Sequence, residues 1–230
     1  MIEKTMITNK WTYNLRVLGR KELKGWENEE GTIADSKIPE IVEAFTGMEK
    51  SKIFYLQQVH GVDSHEIKVD TQLPIQGDAL YTQLPNYVLV IKTADCIPIF
   101  FWDKNNPLCG VVHSGWKGTK EKITNIVLDK LLTKISNISL SMYIGPCIRK
   151  QNYEIGEDVA FFFKEKYPES LANRGDKYLF GNDLVLKKDI ECYKYSLEDS
   201  NICNFENSYF YSHRKKDKGR NLNLIWMNFS

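Results

Sequence analysis

The chain has almost no net charge: 31 Lys and Arg face 30 Asp and Glu over 230 residues, a balance of +1. That excludes broad electrostatic attachment to nucleic acid or to an anionic membrane surface. Long apolar runs are missing too. The most apolar stretch, Tyr87 to Trp102, is interrupted by Lys92 and Asp95, whereas a membrane span needs about 20 unbroken apolar residues. The first residues hold no apolar core of signal-peptide length, so a cytoplasmic protein without membrane association is expected. Cysteines are few and odd in number: Cys96, Cys109, Cys147, Cys192 and Cys203 lie far apart, with no CxxC pair. Such thiols in a cytoplasmic chain are expected to be buried, metal-binding or catalytic rather than disulfide-bonded. Repeats, low-complexity tracts and Pro/Gly/Ser linkers are absent, and nothing in the pattern calls for an obligate protein partner.

What remains is ordinary globular composition, with 42% hydrophobic and 27% charged residues. One domain over residues 1–230 is the simplest organisation, and a chain of this length buries a sizeable core without staples. Residues 1–50 are weakly patterned; a strand is expected from Trp11 to Leu18, a charged loop from Gly25 to Asp35 and a short helix from Pro39 to Phe45. Strands are then expected at Ile53 to Val59, Ser64 to Val69 and Asp78 to Thr82. The short apolar runs Tyr87 to Ile91, Ile97 to Trp102 and Leu108 to Val112 read as strands buried on both faces. Ile123, Ile126, Val127, Leu131 and Leu132 recur at helical spacing, predicting a helix from Trp116 to Lys134. A strand from Ile138 to Ile144, helices over Ile155 to Tyr167 and Leu184 to Tyr195, and closing strands at Tyr209 to Tyr211 and Leu222 to Trp226 complete the pattern. Hairpins and crossovers are intermixed, so the expected class is α/β (α+β), a single domain with mixed β-sheets flanked by helices.

Histidines number four: His60, His65, His113 and His213. His60 and His113 end predicted buried strands and run directly into Gly61 and Ser114-Gly115, and a third strand end carries Thr93-Ala94-Asp95-Cys96. Strand ends opening into tight loops are where a rigid scaffold presents reactive groups. If these ends converge, two imidazoles and a thiolate suit Zn²⁺ and leave a fourth position for water or substrate. Each of these residues also reads as a satisfied polar group at a strand end, and ligands so far apart form no local motif. Ser114-Gly115-Trp116-Lys117-Gly118 at the predicted helix start offers N–H groups and a cation to an anion such as phosphate, or simply a turn with a solvated lysine; the Walker spacing is absent. In Ser212-His213-Arg214, Arg214 adjoins a predicted strand and is the cation best placed to point inward.

Taken together, Gln58-Val59-His60-Gly61, Gly77-Asp78-Ala79, Thr93-Ala94-Asp95-Cys96, His113-Ser114-Gly115-Trp116-Lys117-Gly118, Ile144-Gly145-Pro146-Cys147-Ile148 and Ser212-His213-Arg214 with Gly219-Arg220 resemble the multicopper polyphenol oxidase (laccase-domain) family, also described as YfiH-like purine nucleoside phosphorylases. The resemblance covers about residues 52–227. It implies a YfiH-like mixed α/β fold, distantly similar to the cytotoxic-necrotizing-factor cysteine hydrolases. It implies His60, Cys96 and His113 as zinc ligands and as catalytic residues, with copper able to load in vitro. The implied activity is phosphorolysis of purine nucleosides, with purine nucleosides and phosphate as the partners. Adenosine deamination and methylthioadenosine cleavage are also implied. Asp95 is the adjacent carboxylate for proton transfer, unless its place on the opposite strand face makes it a support for the ligands. Lys117 and Arg214 are the expected phosphate-binding cations. The glycine-rich and Asn-Arg segments usual in the N-terminal part of the family are not found in residues 1–50, and His213 stands where an aromatic residue is common. Three further readings stay open, the first two being a metal-free hydrolase with Cys96 as nucleophile and His113 as base, and a copper oxidase, for whose multiple centres this chain has few histidines. A non-enzymatic binding module is the third.

Overall fold

The computed structural model describes residues 1–8 and 10–230. In chain order the strands are β1 (Ile2–Ile7), β2 (Trp11–Leu18), β3 (Ile53–Gln57), β4 (Ser64–Ile67), β5 (Ile75–Gln76), β6 (Ala79–Thr82), β7 (Val88–Thr93), β8 (Ile97–Asp103), β9 (Cys109–Ser114), β10 (Leu140–Ile144), β11 (Glu154–Ile155), β12 (Leu171–Arg174), β13 (Lys177–Phe180), β14 (Tyr195–Asp199) and β15 (Asn221–Phe229). The helices are α1 (Arg20–Leu23), α2 (Ile38–Thr46), α3 (Trp116–Lys120), α4 (Ile123–Lys134), α5 (Glu157–Ala160) and α6 (Asn182–Ile190).

Two mixed six-stranded sheets result, ordered β1-β2-β15-β7-β3-β5 and β14-β10-β8-β9-β6-β4, with a three-stranded sheet β11-β13-β12 beside them. In the first, β3 runs parallel to both β5 and β7 while the other pairings are antiparallel. In the second, β14–β10 and β4–β6 are the parallel pairs. Strand alternation explains the layering. Phe100, Trp102 and Val111 face Leu15, Leu89 and Ile225 across a core between the two sheets. Their neighbours Ile99, Phe101 and Val112 face the other way, onto Val127, Leu131 and Leu186 of α4 and α6. On the far side of the first sheet, Val88, Val90 and Leu224 pack against Ile38, Ile41 and Val42 of α2. The central strands are therefore buried on both faces, which is why they read as nearly continuous apolar runs. The architecture is the mixed α/β class expected.

Several elements differ from expectation. The helix over Trp116 to Lys134 is two helices, because Lys122 takes a left-handed conformation (φ 59°) between α3 and α4. The buried stripe of α4 is Ile123, Val127, Leu128 and Leu131, while Ile126 and Leu132 are exposed. The helix over Ile155 to Tyr167 is confined to α5. Beyond it Phe162 and Phe163 donate to carbonyls three residues back, and the chain rolls in turns that bury Phe163 and leave Phe161 exposed. The helix expected over Leu184 to Tyr195 ends at Ile190, and Tyr195 instead opens β14 at the edge of the second sheet. Tyr209 to Tyr211 is not a strand, since Asn204 and Asn221 side-chain amides take the hydrogen bonds of Tyr211 that a neighbouring strand would make. Strand β2 spans Trp11–Leu18 as expected. No helix of the described residues is long and apolar enough to cross a membrane.

Candidate metal centre

Three strand ends meet where the two large sheets open. His60 follows β3 of the first sheet, Cys96 lies on the connection that carries the chain from β7 to β8 of the second, and His113 is in β9. One donor atom from each of His60, Cys96 and His113 lies within 4.8 Å of the other two. The two imidazoles stand edge to face, with centroids 4.8 Å apart.

Local sequence accounts for this convergence. Gln58 uses its side-chain amide as if it were backbone: Nε2 donates to the Lys92 carbonyl at 2.8 Å, and Oε1 accepts from Lys92 N–H at 2.6 Å. This extends the β3–β7 pairing while freeing the main chain to turn. His60 then takes a left-handed conformation (φ 60°), a region that non-glycine residues occupy sparingly. The turn is fastened by Asp78, fully buried just ahead of β6. Its carboxylate accepts the N–H of His60 at 3.0 Å and of Gly61 at 2.7 Å, and the Nδ1–H of His113 at 2.8 Å. Gly115 leaves the space: a Cβ there would lie 3.1 Å from Cys96 Sγ and 3.2 Å from His60 Cδ2.

The electrostatics follow from these contacts. Burial works against the charge on Asp78, but the His113 ring and the Gly61 and His60 N–H groups hold its carboxyl below the usual range. Burial likewise opposes ionisation of Cys96, yet the adjoining His113 and His60 rings bring its thiol down to about 6. Burial lowers His113, while Asp78 and Cys96 outweigh it and raise the imidazole to about 9. With Nδ1 committed to Asp78, His113 has Nε2 as its remaining donor. Two nitrogen donors and one easily ionised sulfur, oriented by a buried carboxylate, can hold a metal ion.

The trio sits in a cleft of about 770 Å³. Asp95 also lines it, but both its oxygens are engaged: Oδ1 accepts from Ser212 Oγ and Oδ2 from the Arg214 main-chain N–H, each at 2.7 Å. Like His60 it has a positive φ, 87°. Asp95 thereby ties the C-terminal loop to the β7–β8 connection. Lys117 and Arg214 line the same cleft, as does His213. The Arg214 guanidinium lies over the Tyr153 ring at 5.4 Å and donates to the Glu154 carbonyl at 2.7 Å. His65 is elsewhere, its Nε2 bonded to the Gln76 carbonyl. Helix α3, which starts beside Lys117, has five residues; its dipole is correspondingly small, so attraction of an anion falls to the side chains.

Sequence reading assigned no role to Asp78, Gln58 or Tyr153. A carboxylate between Gly77 and a buried strand is a signal for the first, because a buried acid requires partners. Residues 1–50 also reach the cleft, through Thr32, Ile33 and Ile38.

Comparison with known proteins shows the family and the fold. A family model described as multi-copper polyphenol oxidoreductase laccase matches residues 31–228. "Purine nucleoside phosphorylase YfiH" of Shigella flexneri is 28% identical over 183 residues, covering 77% of this chain and 74% of that protein. A "purine nucleoside phosphorylase" of Borreliella burgdorferi is 28% identical over 188 residues, 76% of this chain and 79% of the other. Among solved structures, hypothetical protein YfiH of Bacillus licheniformis superposes with a TM-score of 0.79 at 21% identity, over 94% of this chain and 92% of that one. A Neisseria meningitidis protein does so with a TM-score of 0.79 at 19% identity, over 98% and 99%. These likenesses establish the fold.

Proposed function

Since the chain belongs to the multi-copper polyphenol oxidoreductase laccase family, we propose that it is a zinc-dependent purine nucleoside phosphorylase, converting a nucleoside and phosphate to free base and ribose 1-phosphate. The observation that carries this reading is the meeting of His60, Cys96 and His113 in a cleft also lined by Lys117 and Arg214. The names of the Shigella and Borreliella relatives support it. The donor set suits Zn²⁺, which when bound there supplies a Lewis acid and lowers the pKa of a coordinated water.

The chain's own residues do the rest. Asp78 keeps Nε2 of His113 and the turn at His60 in place. Lys117 and Arg214 hold phosphate beside the sugar, where its charge offsets the positive charge developing at the anomeric carbon. The C–N glycosidic bond breaks with its electron pair leaving on the purine, a phosphate oxygen bonds to the anomeric carbon, and the proton that hydrogen phosphate sheds passes to the departing base. Asp95, with both oxygens engaged, acts by positioning Arg214.

A second reading rests on the lowered Cys96 thiol. With His113 held by Asp78, the same side chains make a Cys–His–Asp relay able to work as a metal-free hydrolase. A copper oxidase is disfavoured, because only two of the four histidines join the cluster.

Metal-assayed protein incubated with adenosine, inosine, guanosine and methylthioadenosine, with and without phosphate, separates these readings. The phosphorylase releases base and ribose 1-phosphate only with phosphate, stops on chelation and recovers with zinc. Cys96→Ala, His60→Ala and His113→Ala each abolish zinc loading and turnover while the protein stays folded. Phosphate-independent cleavage that survives chelation but not thiol alkylation selects the hydrolase.

A further inference from the structure

The three-stranded sheet supplies none of the three converging donors, yet two side chains packed on its core, Trp116 and Tyr153, line the cleft. Tyr153 is clamped. Its N–H donates to the Arg149 carbonyl at 3.1 Å, and its carbonyl accepts from Phe180 N–H at 2.8 Å. Its ring lies 5.6 Å from the Phe180 ring, and the Arg214 guanidinium covers it at 5.4 Å. Arg214 is fixed in turn by its bonds to Glu154 and Asp95.

The hydroxyl at the end of this fixed ring has no hydrogen-bond partner among the described residues. Burial and the nearby Cys96 and Asp95 push its ionisation upward against the opposing charge of Arg214, so it is a neutral phenol at neutral pH. A phenylalanine would fill the aromatic contacts equally well. Tyr153 lines the cleft and its hydroxyl stays within reach of solvent there, free to exchange water for a ligand oxygen.

We propose that the Tyr153 hydroxyl is a phosphate-binding donor, acting beside Arg214 and Lys117, and that the small sheet serves to present it. This rests on the phosphorolysis reading. The three groups are chemically complementary to one tetrahedral oxyanion: a guanidinium, an ammonium and a neutral O–H that adds directional selectivity without further charge.

Tyr153→Phe removes one oxygen atom and keeps the ring beneath Arg214. Loss of one hydrogen bond to a charged ligand is expected to raise the phosphate KM roughly tenfold. The nucleoside KM, the zinc content and the melting temperature should stay at wild-type values. A structural role alone would not divide the two KM values in this way. The inhibition constant of sulfate, a tetrahedral competitor, should rise in the same proportion. An unchanged phosphate KM, or a rise in the nucleoside KM instead, overturns the assignment. Calorimetric titration of inorganic phosphate into the zinc-loaded protein, without nucleoside, tests Tyr153 independently of turnover. Roughly tenfold weaker binding by the variant is expected; equal binding, or none by the wild type, refutes the role. Absence of base release by the wild type refutes phosphorolysis itself, a separate result.

Discussion

One buried carboxylate sets the geometry of two of the three donors. Asp78 accepts from the His113 ring and from the N–H groups of His60 and Gly61, so every neighbour aims a donor at it. Asp78→Asn preserves size but turns an NH₂ group toward one of these donors and removes the charge that raises His113. The His60 turn, already in a sparsely populated conformation, then loses part of what holds it. We expect zinc affinity to fall by roughly 10–100-fold with the circular dichroism spectrum unchanged, as measured by competition with a chromophoric chelator. Wild-type affinity in this variant would show that the carboxylate is not what orients the donors. This dependence was not legible in the sequence. His60, Cys96 and His113 are conspicuous because each ends an apolar run, but Asp78 and Tyr153 acquire meaning only when chain segments far apart meet.

Elements were legible where burial alone dictates their pattern and obscure where single side chains override it. β8 and β9 are nearly continuous apolar runs, Ile97 to Trp102 and Cys109 to Val112, because they separate two cores. β1 carries Lys4 at a half-buried position and escapes notice, since an edge strand needs only weak alternation. The break between α3 and α4 rests on the conformation of Lys122, and periodicity carries no sign of it. The edge strand β14 is fastened by a further non-local device. Arg149 bonds both oxygens of Asp199, at 2.6 and 3.0 Å, and reaches Asp183 of α6 at 2.8 Å, with all three side chains nearly buried. Burial opposes the charge on Asp199, but Arg149, Lys187 and the Asn201 N–H hold its carboxyl below the ordinary range. A depressed folded-state value means that the stabilisation is present in full above the unfolded-state pKa and is lost as pH falls through the folded one. Asp199→Asn should therefore destabilise by roughly 3 kcal/mol at pH 7, with the gap from wild type narrowing steadily below about pH 4. Urea melts across that range measure it, and a gap independent of pH would show that the charge is not what matters.

At the scale of the whole molecule, the converging donors are not among the apolar side chains that hold the layers together, although His113 belongs to β9. The core between the sheets, the helix-covered cores on both outer faces and the core of the small sheet are all built without them. A metal at His60, Cys96 and His113 should therefore stabilise only by binding the folded state, and should not be needed to form it. At free zinc about a thousandfold above its dissociation constant, that linkage amounts to about 4 kcal/mol, or roughly 8–16 °C in melting temperature for a chain of this size. Chelated protein should keep the near-ultraviolet spectrum of its packed aromatics, unfold in one cooperative transition and regain the higher melting temperature when zinc returns. Cys96→Ser, which replaces the sulfur donor, should be far less responsive to zinc. Collapse of the near-ultraviolet signal on chelation would instead make the metal part of the core, and an unresponsive wild-type melt would remove it from these three side chains.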